Sequence, residues 1–390
     1  MKLSQRISGL LGDGSDGWEV FIKAREMIKD GIDVIELTIG EHDIRTAGPI
    51  LQDMHKAAMG GHTGYAAVPG TDALRQTVAK RVQERTGVPT GPQNVLITPG
   101  GQAALFAAHM VACDAGDTAL YLDPFYATYP GTLRGVGAIP KAIETRAEDA
   151  FQPRTGDIDA CAAGARSLLI NTPNNPTGTV YSRETLEGIA DVCKAHDLWL
   201  ISDEVYDTQV WDGEHISPRA LPDMAQRTLV VGSMSKSHAM TGSRCGWVVG
   251  PAEVIESLIN LATHTTYGVA GFIQDASDFA LNQGPAFEED VAAPFRHRRA
   301  LGQEILEHQS SVGLIPAQGA MYMMLDIRAT GMSGEAFAYA LLETHHIAVM
   351  PGESFGAAAA GHIRVAMTIE DGAFVQALET LCEFADTLIV

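Results

Sequence analysis

The sequence predicts an α/β protein: a large domain built on a mostly parallel sheet covered by helices on both faces, joined to a smaller α+β domain. Three observations carry that expectation. From about Asn94 to Gly250, short β-rich apolar runs (VLIT, TALYL, SLLIN, LWLIS, TLVVGS, GWVVG) alternate with segments of helical period. Strands that read apolar throughout belong in a sheet covered on both sides. The segments between them carry a single apolar stripe, as where Leu186, Ile189, Ala190 and Cys193 fall on one helical face. After Pro285 the pattern changes to a long charged helical stretch and separated strands.

The N-terminal run DVIELTIG, Asp33 to Gly40, reads as a strand, and the N-terminus is expected to pack with the C-terminal part of the chain. TPGGQAALFAAHM runs strand, Gly-Gly, helix, and DPFYATYPG follows the next strand. NTPNNPTG is a Pro/Asn/Gly turn after SLLIN, and SDEVY closes the strand LWLIS. SMSKSHAMTGSRCGW, Ser233 to Trp247, lies between the strands TLVVG and GWVVG. Beyond Pro285 come a helix through HRRALGQEILEH and strands within AMYMMLDI, IAVM and HIRVAM. A last helix places Phe374, Leu378, Leu381, Ala385 and Leu388 on one face. The expected division is a large domain over 45–285 and a small one formed by 1–44 with 286–390, with no repeat and no flexible linker.

The chain has 390 residues, with 27 Lys+Arg against 48 Asp+Glu and a formal charge of -21. Such a field repels a phosphate backbone, so nucleic acid is excluded as a partner. A small anionic ligand would then need a few well-placed arginines. Five cysteines (Cys113, Cys161, Cys193, Cys245, Cys382) are odd in number, scattered, and lack metal-ligand spacing. They read as small buried hydrophobes in a reducing compartment, with no metal site. The N-terminus has no apolar core of signal-peptide length, and no run reaches the roughly 18 apolar residues of a membrane span. The expectation is a cytoplasmic protein without a membrane partner.

Lys236 stands at the exit of an apolar strand among small polar residues. Its amine must be solvated, paired or covalently used there, and an isolated strand-end lysine is more often an exposed cap. Ser233 before it and Arg244 after it offer hydroxyl and guanidinium donors that together would satisfy a dianion such as a phosphate. Asp203 sits at a strand's carboxyl end, where open α/β sheets place ligand groups, although an isolated aspartate there is commonly a helix cap. The amides at Gly101 and Gln102 begin a helix and can bind phosphate. Tyr126 can lay its ring on a planar heterocycle, or be an ordinary turn tyrosine. Arg364, between apolar residues of a strand, needs an anionic partner if it is half-buried.

Taken in order, KAREMIKDGIDVIELTIGEHD, GYAAVPGTDALR, TPGGQAALF, DPFYATY, NTPNNPTG, SDEVY, SMSKSHAMTGSRCGW and HIRVAM resemble the class I (aspartate/aromatic-type) aminotransferases of the fold-type I pyridoxal-phosphate enzymes, over nearly the whole length. The resemblance implies that Lys236 holds the cofactor as a Schiff base and then shuttles the substrate's proton. It makes Asp203 the partner of the pyridine nitrogen, Asn175 and Tyr206 donors to the ring's phenolate oxygen, and Tyr126 the stacking ring. Phosphate would be held by the Gly101 and Gln102 amides, Ser233, Arg244 and Tyr65, the last supplied by the other subunit of a homodimer. Arg364 would grip the substrate's α-carboxylate, with Gly40 approaching the same group through its backbone and Asn175 nearby.

Two departures stand out. GEHDI replaces the GEPDF of many relatives, which places His42 and Ile44 in a loop near the entrance, where a turn histidine is the simpler account of His42. Gln102 occupies the place where a bacterial aspartate-type subgroup has a lysine for the distal carboxylate, which puts a dicarboxylate preference in doubt. No second arginine is assigned to the side chain; Arg45 and Arg134 are candidates, and surface ion pairs are the commoner role. The implied activity is ping-pong transamination between an L-amino acid and a 2-oxo acid. The alternatives are β-elimination by a carbon-sulfur lyase using the same site, and a non-catalytic regulator, for which the match beginning near the N-terminus leaves no DNA-binding domain.

Overall fold

The computed structural model describes residues 1–12 and 17–389. Its strands in chain order are β1 (Ile35–Glu36), β2 (Val95–Thr98), β3 (Thr118–Asp123), β4 (Ile139–Glu144), β5 (Ala165–Asn171), β6 (Trp199–Asp203), β7 (Thr228–Ser233), β8 (Gly246–Val249), β9 (Gly313–Leu314), β10 (Tyr322–Asp326), β11 (Ile347–Ala348), β12 (Met350–Pro351) and β13 (His362–Ala366).

Seven of them form one sheet in the order β2-β8-β7-β6-β5-β3-β4, and only β8 runs antiparallel to its neighbours. Successive side chains alternate faces. Leu169, Ile201 and Leu229 therefore join a core with the helices Gly101–Ala112 and Ala252–Thr263. Leu168, Ile170 and Leu200 join another with the helix Arg183–Ala195, where the stripe of Leu186, Ile189, Ala190 and Cys193 is buried. The α/β class expected from the sequence is thus the observed one. Six of the seven strands were legible as apolar runs. The seventh, β4, is an edge strand whose segment IPKAIE buries only Ile143, so it lacks the two-sided apolar signature.

The second sheet is antiparallel, in the order β12-β13-β10-β9. Its core takes Phe374, Leu378, Leu381 and Ala385 from the last helix (Asp371–Leu388), together with Val20, Ala24 and Leu37 from near the N-terminus. The strand expected over Asp33 to Gly40 shortens to β1, which pairs in parallel with β11. The reason is a change of partner: Leu37 N–H donates to Ala348 O at 2.8 Å, while Leu37 O accepts from Ala366 N at 2.9 Å, so the chain leaves one ladder for the end of another. The run IAVM splits likewise, with β11 pairing to β1 and β12 to β13. The helix Pro285–Leu306 begins at the point where the sequence pattern changes. Among the described residues no helix is long and apolar enough to cross a membrane, no group of side chains could hold a metal, and the five cysteines are free, four of them buried.

Candidate active site

Because β8 alone is reversed, β2, β3, β5, β6 and β7 all end on the same side, and a cavity of about 350 Å³ lies beyond those ends. Tyr322 of β10 and Arg364 of β13 line it from the second sheet. Of the residues to which the sequence assigned cofactor or substrate contacts, all line this cavity except Tyr65, whereas His42, Ile44, Arg45 and Arg134 do not line it.

Lys236 follows β7 on the four-residue helix Met234–Ser237, which Ser233 caps by accepting the Ser235 N–H at 3.1 Å. The Lys236 ammonium donates to the Gly40 carbonyl. Burial pushes its pKa down to about 8; Glu41 opposes that, and the Arg364 and Arg244 charges add to it. The Ser233 hydroxyl is engaged with Ser235 Oγ at 3.0 Å and Cys245 O at 3.3 Å.

Asp203 ends β6 opposite Asn171 of β5. It is 4% exposed, and burial pushes its pKa up to about 6, against hydrogen bonds from the Tyr129 hydroxyl and the Val205 amide. Tyr129 Oη donates to Asp203 Oδ2 at 2.7 Å. Asn171 donates to Asp203 O at 2.9 Å and accepts the Asn175 N–H at 2.8 Å, which sets the turn carrying Asn175. Tyr206, on the turn after Asp203, lies with its hydroxyl 2.9 Å from that of Tyr322.

Arg364 is 1% exposed. Its guanidinium lies between the rings of Tyr322 and Phe355, each centroid 4.4 Å away. It donates through Nη1 to Asn175 Oδ1 at 2.8 Å and through Nη2 to Thr38 O, while Nε has no protein partner. Gly40 is required beside it, because a Cβ there would come within 1.7 Å of Tyr322 Oη.

Arg244, also lining the cavity, takes a left-handed conformation, φ 49°, and donates through Nη1 to Thr241 O at 2.7 Å. Gly100, φ 83°, passes so close that a Cβ would lie 2.4 Å from Arg244 Nη2. The helix starting at Gly101 directs the amides of Gly101 and Gln102, which have no intrahelical partner, at the same space. The Gln102 side chain is occupied elsewhere, donating to Thr132 Oγ1 at 2.7 Å and accepting from Thr128 Oγ1 at 3.1 Å. Tyr126 lines the cavity with its ring edge-on to Tyr129, centroids 5.8 Å apart. Neither Arg244 nor Arg364 has a carboxylate partner among the described residues.

Tyr65 is 92% exposed, away from the cavity, edge-on to Tyr267 at 5.3 Å. The turn histidine His42 is buried, its ring centroid 5.2 Å from that of Phe295, and burial first, with the Lys236 charge adding, pushes its pKa down to about 4 against a backbone hydrogen bond at Lys236. Arg45 is exposed, and Arg134 donates to Leu10 O at 3.0 Å; neither lines the cavity. Sequence reasoning missed Tyr129, Tyr322, Asn171 and Ser235. Tyr129 had a local signal, its three-residue spacing from Tyr126 in DPFYATY; Tyr322, mid-strand in AMYMMLDI, had none.

Comparison with known proteins gives a consistent result. The family model described as aminotransferase class I and II matches residues 32–381. An arginine–pyruvate transaminase of Pseudomonas aeruginosa is 39% identical over 370 residues, covering 95% of this chain and 94% of the relative. An aspartate/prephenate aminotransferase of Thermus thermophilus is 34% identical, covering 92% of each chain. The solved structure of aspartate aminotransferase from Thermus thermophilus with maleate superposes with a TM-score of 0.92 at 32% identity, covering 98% of this chain and 99% of that one.

Proposed function

The chain belongs to the class I and II aminotransferase family and is an aminotransferase, and from that premise we propose how its residues divide the work. The family uses pyridoxal phosphate, and the donor set fits that group. Arg244 with the Gly101 and Gln102 amides suits a phosphate, buried Asp203 suits a ring nitrogen, and Lys236 suits an aldehyde carbon. When bound, pyridoxal phosphate supplies a ring that accepts the electrons of the bond broken at the substrate's Cα.

The chain's own residues do the rest. Asp203, kept as an anion, holds a proton on the ring nitrogen. Asn175 and Tyr206 would donate to the ring's phenolic oxygen, Tyr126 would supply a ring to stack on it, and Ser233 with Tyr65 of a second copy would complete the phosphate site. Arg364 grips the α-carboxylate through the side left unpartnered at Nε, with Gly40 beside it. Lys236, its amine brought by burial toward the neutral form, takes the Cα proton and returns it at the cofactor. A 2-oxo acid then accepts the amino group in the second half of a ping-pong cycle.

The observation that carries this reading is the pair of cavity arginines without carboxylate partners among the described residues, lining one cavity with a part-buried lysine and a buried aspartate. The same accounting bears on the substrate. Among the described residues of one copy, Lys236, Arg244 and Arg364 are the Lys and Arg side chains lining the cavity, and all three have roles in this reading, so the copy supplies no further cation for a distal carboxylate. We therefore place the amino donor among those with neutral or basic side chains, in line with the relative named for arginine and pyruvate. Elimination is not favoured, since the named relatives are aminotransferases. The two sheets with their helices form the two domains, 45–285 and 1–44 with 286–390, which close on the substrate. A cytoplasmic homodimer completes the proposal.

The test is an absorption spectrum of the purified protein before and after adding single L-amino acids, with oxo-acid products assayed alongside. Loss of a visible band with stoichiometric oxo acid is the expected result, and Lys236→Ala should lack both. Pyruvate and ammonia with an unchanged band would mean elimination; no band after adding pyridoxal phosphate would remove the cofactor from the reading.

A further inference from the structure

Asp203 poses a physical problem. A carboxylate that is to hold a proton on a ring nitrogen must itself stay ionised, yet this one is enclosed by protein, and enclosure favours its neutral form. Among the described residues no cation forms an ion pair with it; its strongest contact is the 2.7 Å hydrogen bond from the Tyr129 hydroxyl to Oδ2. The other oxygen, Oδ1, receives only a 3.3 Å contact from the Val205 amide.

Tyr129 is built to hold that contact. It is 3% exposed, it opens the helix Tyr129–Val136, and Pro130 follows it. Its ring belongs to the core under the sheet with Leu105, Ala108 and Leu133. Its amide donates to Tyr126 O at 2.9 Å and its ring meets the Tyr126 ring edge-on, so one residue ties the ring lining the cavity to the carboxylate. Burial and the neighbouring Asp203 hold its hydroxyl well above the ordinary tyrosine range, so it remains a donor at every working pH.

We propose that Tyr129 is a positioning residue for the cofactor's ring nitrogen: its hydroxyl orients the Asp203 carboxylate and keeps it anionic, so that the ring nitrogen stays protonated. The proton of Tyr129 is never transferred; it stays on the phenol and stabilises the anion. The inference rests on the reading of Asp203 given above.

Tyr129→Phe keeps the buried ring and removes only the hydroxyl. Three quantities distinguish positioning from packing: the pyridoxal phosphate dissociation constant from pH 5.5 to 8.5, the ¹⁵N shift of ring-labelled pyridoxal phosphate, and kcat against KM. Expected are cofactor affinity and kcat each lowered about tenfold to a hundredfold, the range lost with one hydrogen bond to a charged group. The acid limb of binding should move to higher pH, the ring nitrogen should lose protonation, and KM for the amino donor should change little. A 3-fluorotyrosine at 129, a stronger donor of the same shape, should move the acid limb the other way and serves as the second variant if Tyr129→Phe folds poorly.

Wild-type affinity, acid limb and ¹⁵N shift in both variants would overturn the proposal. Asp203→Asn measured in parallel separates the two levels. If it is impaired while the Tyr129 variants are not, only the role of Tyr129 falls; if it too matches wild type, the reading of Asp203 falls with it.

Discussion

Arg364 shows how much a single side chain depends on its setting. Two aromatic rings and two protein acceptors fix the guanidinium plane before any substrate arrives, which leaves less entropy to lose on binding. Arg364→Lys keeps the charge but loses the planar fork and the stacking. It is expected to raise KM for the amino donor by about tenfold or more, with a smaller change in kcat, read from steady-state kinetics. Asp123, at the end of β3, is a different case. It is 3% exposed, and Oδ2 accepts the Ala357 N–H at 2.9 Å. Burial first, with Glu144 adding, pushes its pKa up to about 7 from an ordinary 3.8, against the Ala358 and Ala357 amides. Between those values the native chain keeps a proton that the unfolded chain releases. Its contribution to stability is therefore complete below pH 4 and lost as pH rises through 7. Asp123→Asn, which retains an acceptor for Ala357, should melt higher than wild type at pH 8, and the gain should shrink steadily toward pH 4.

At the scale of elements, the helix Asp72–Thr86 braces the site from behind. Arg81 and Arg85 each reach both Asp207 and Glu288, with Arg81 to Asp207 at 3.3 Å and Arg85 to Glu288 at 3.0 Å. Asp207 lies just after Tyr206, and His238, just after the Lys236 helix, stands 3.9 Å from Glu288. The four charges thus tie the turn carrying Tyr206 and the helix Pro285–Leu306 to the helix Asp72–Thr86, while His238, kept neutral by burial that pushes its pKa down to about 3, only packs beside Glu288. Arg81→Met leaves buried Glu288 and half-buried Asp207 with Arg85 alone and should cost about 3 kcal/mol of stability, seen as a lowered melting temperature. The double variant Arg81→Met/Glu288→Met removes a charge of each sign and should lose less than the two single variants summed.

At the scale of the whole molecule, the site is assembled from two sheets: Asp203 ends a strand of the first and Lys236 follows another, while Arg364 and Tyr322 stand on the second. In the proposed reading, closing one against the other would bring the amine and carboxylate sites together, which would couple substrate binding to closure. Tyr65, exposed on its own chain, has a role only if a second copy receives it. Mixing Lys236→Ala subunits with Tyr65→Ala subunits after dissociation and reassociation should then give more activity than the two parents together, because a mixed dimer contains one intact site. Activity no greater than the sum would deny the shared site.

The sequence by itself determined the α/β class, six of the seven strands of the main sheet, and the segments carrying Lys236, Asp203, Asn175, Arg244 and Arg364. Each is written in a few neighbouring residues: an apolar run, a Gly-Gly before a helix, a Pro/Asn turn. Strand β4 escaped because an edge strand needs little apolar pattern, and the strand from Asp33 shortened because its chain changes partners at Leu37. Only the tertiary structure decided that Tyr129 caps Asp203, that Tyr322 and Phe355 enclose Arg364, that Arg81 and Arg85 brace the turn after Tyr206, and that His42 is buried. These are contacts between residues up to hundreds of positions apart, and their partners are chosen by sheet order and helix packing, which no local window of sequence contains.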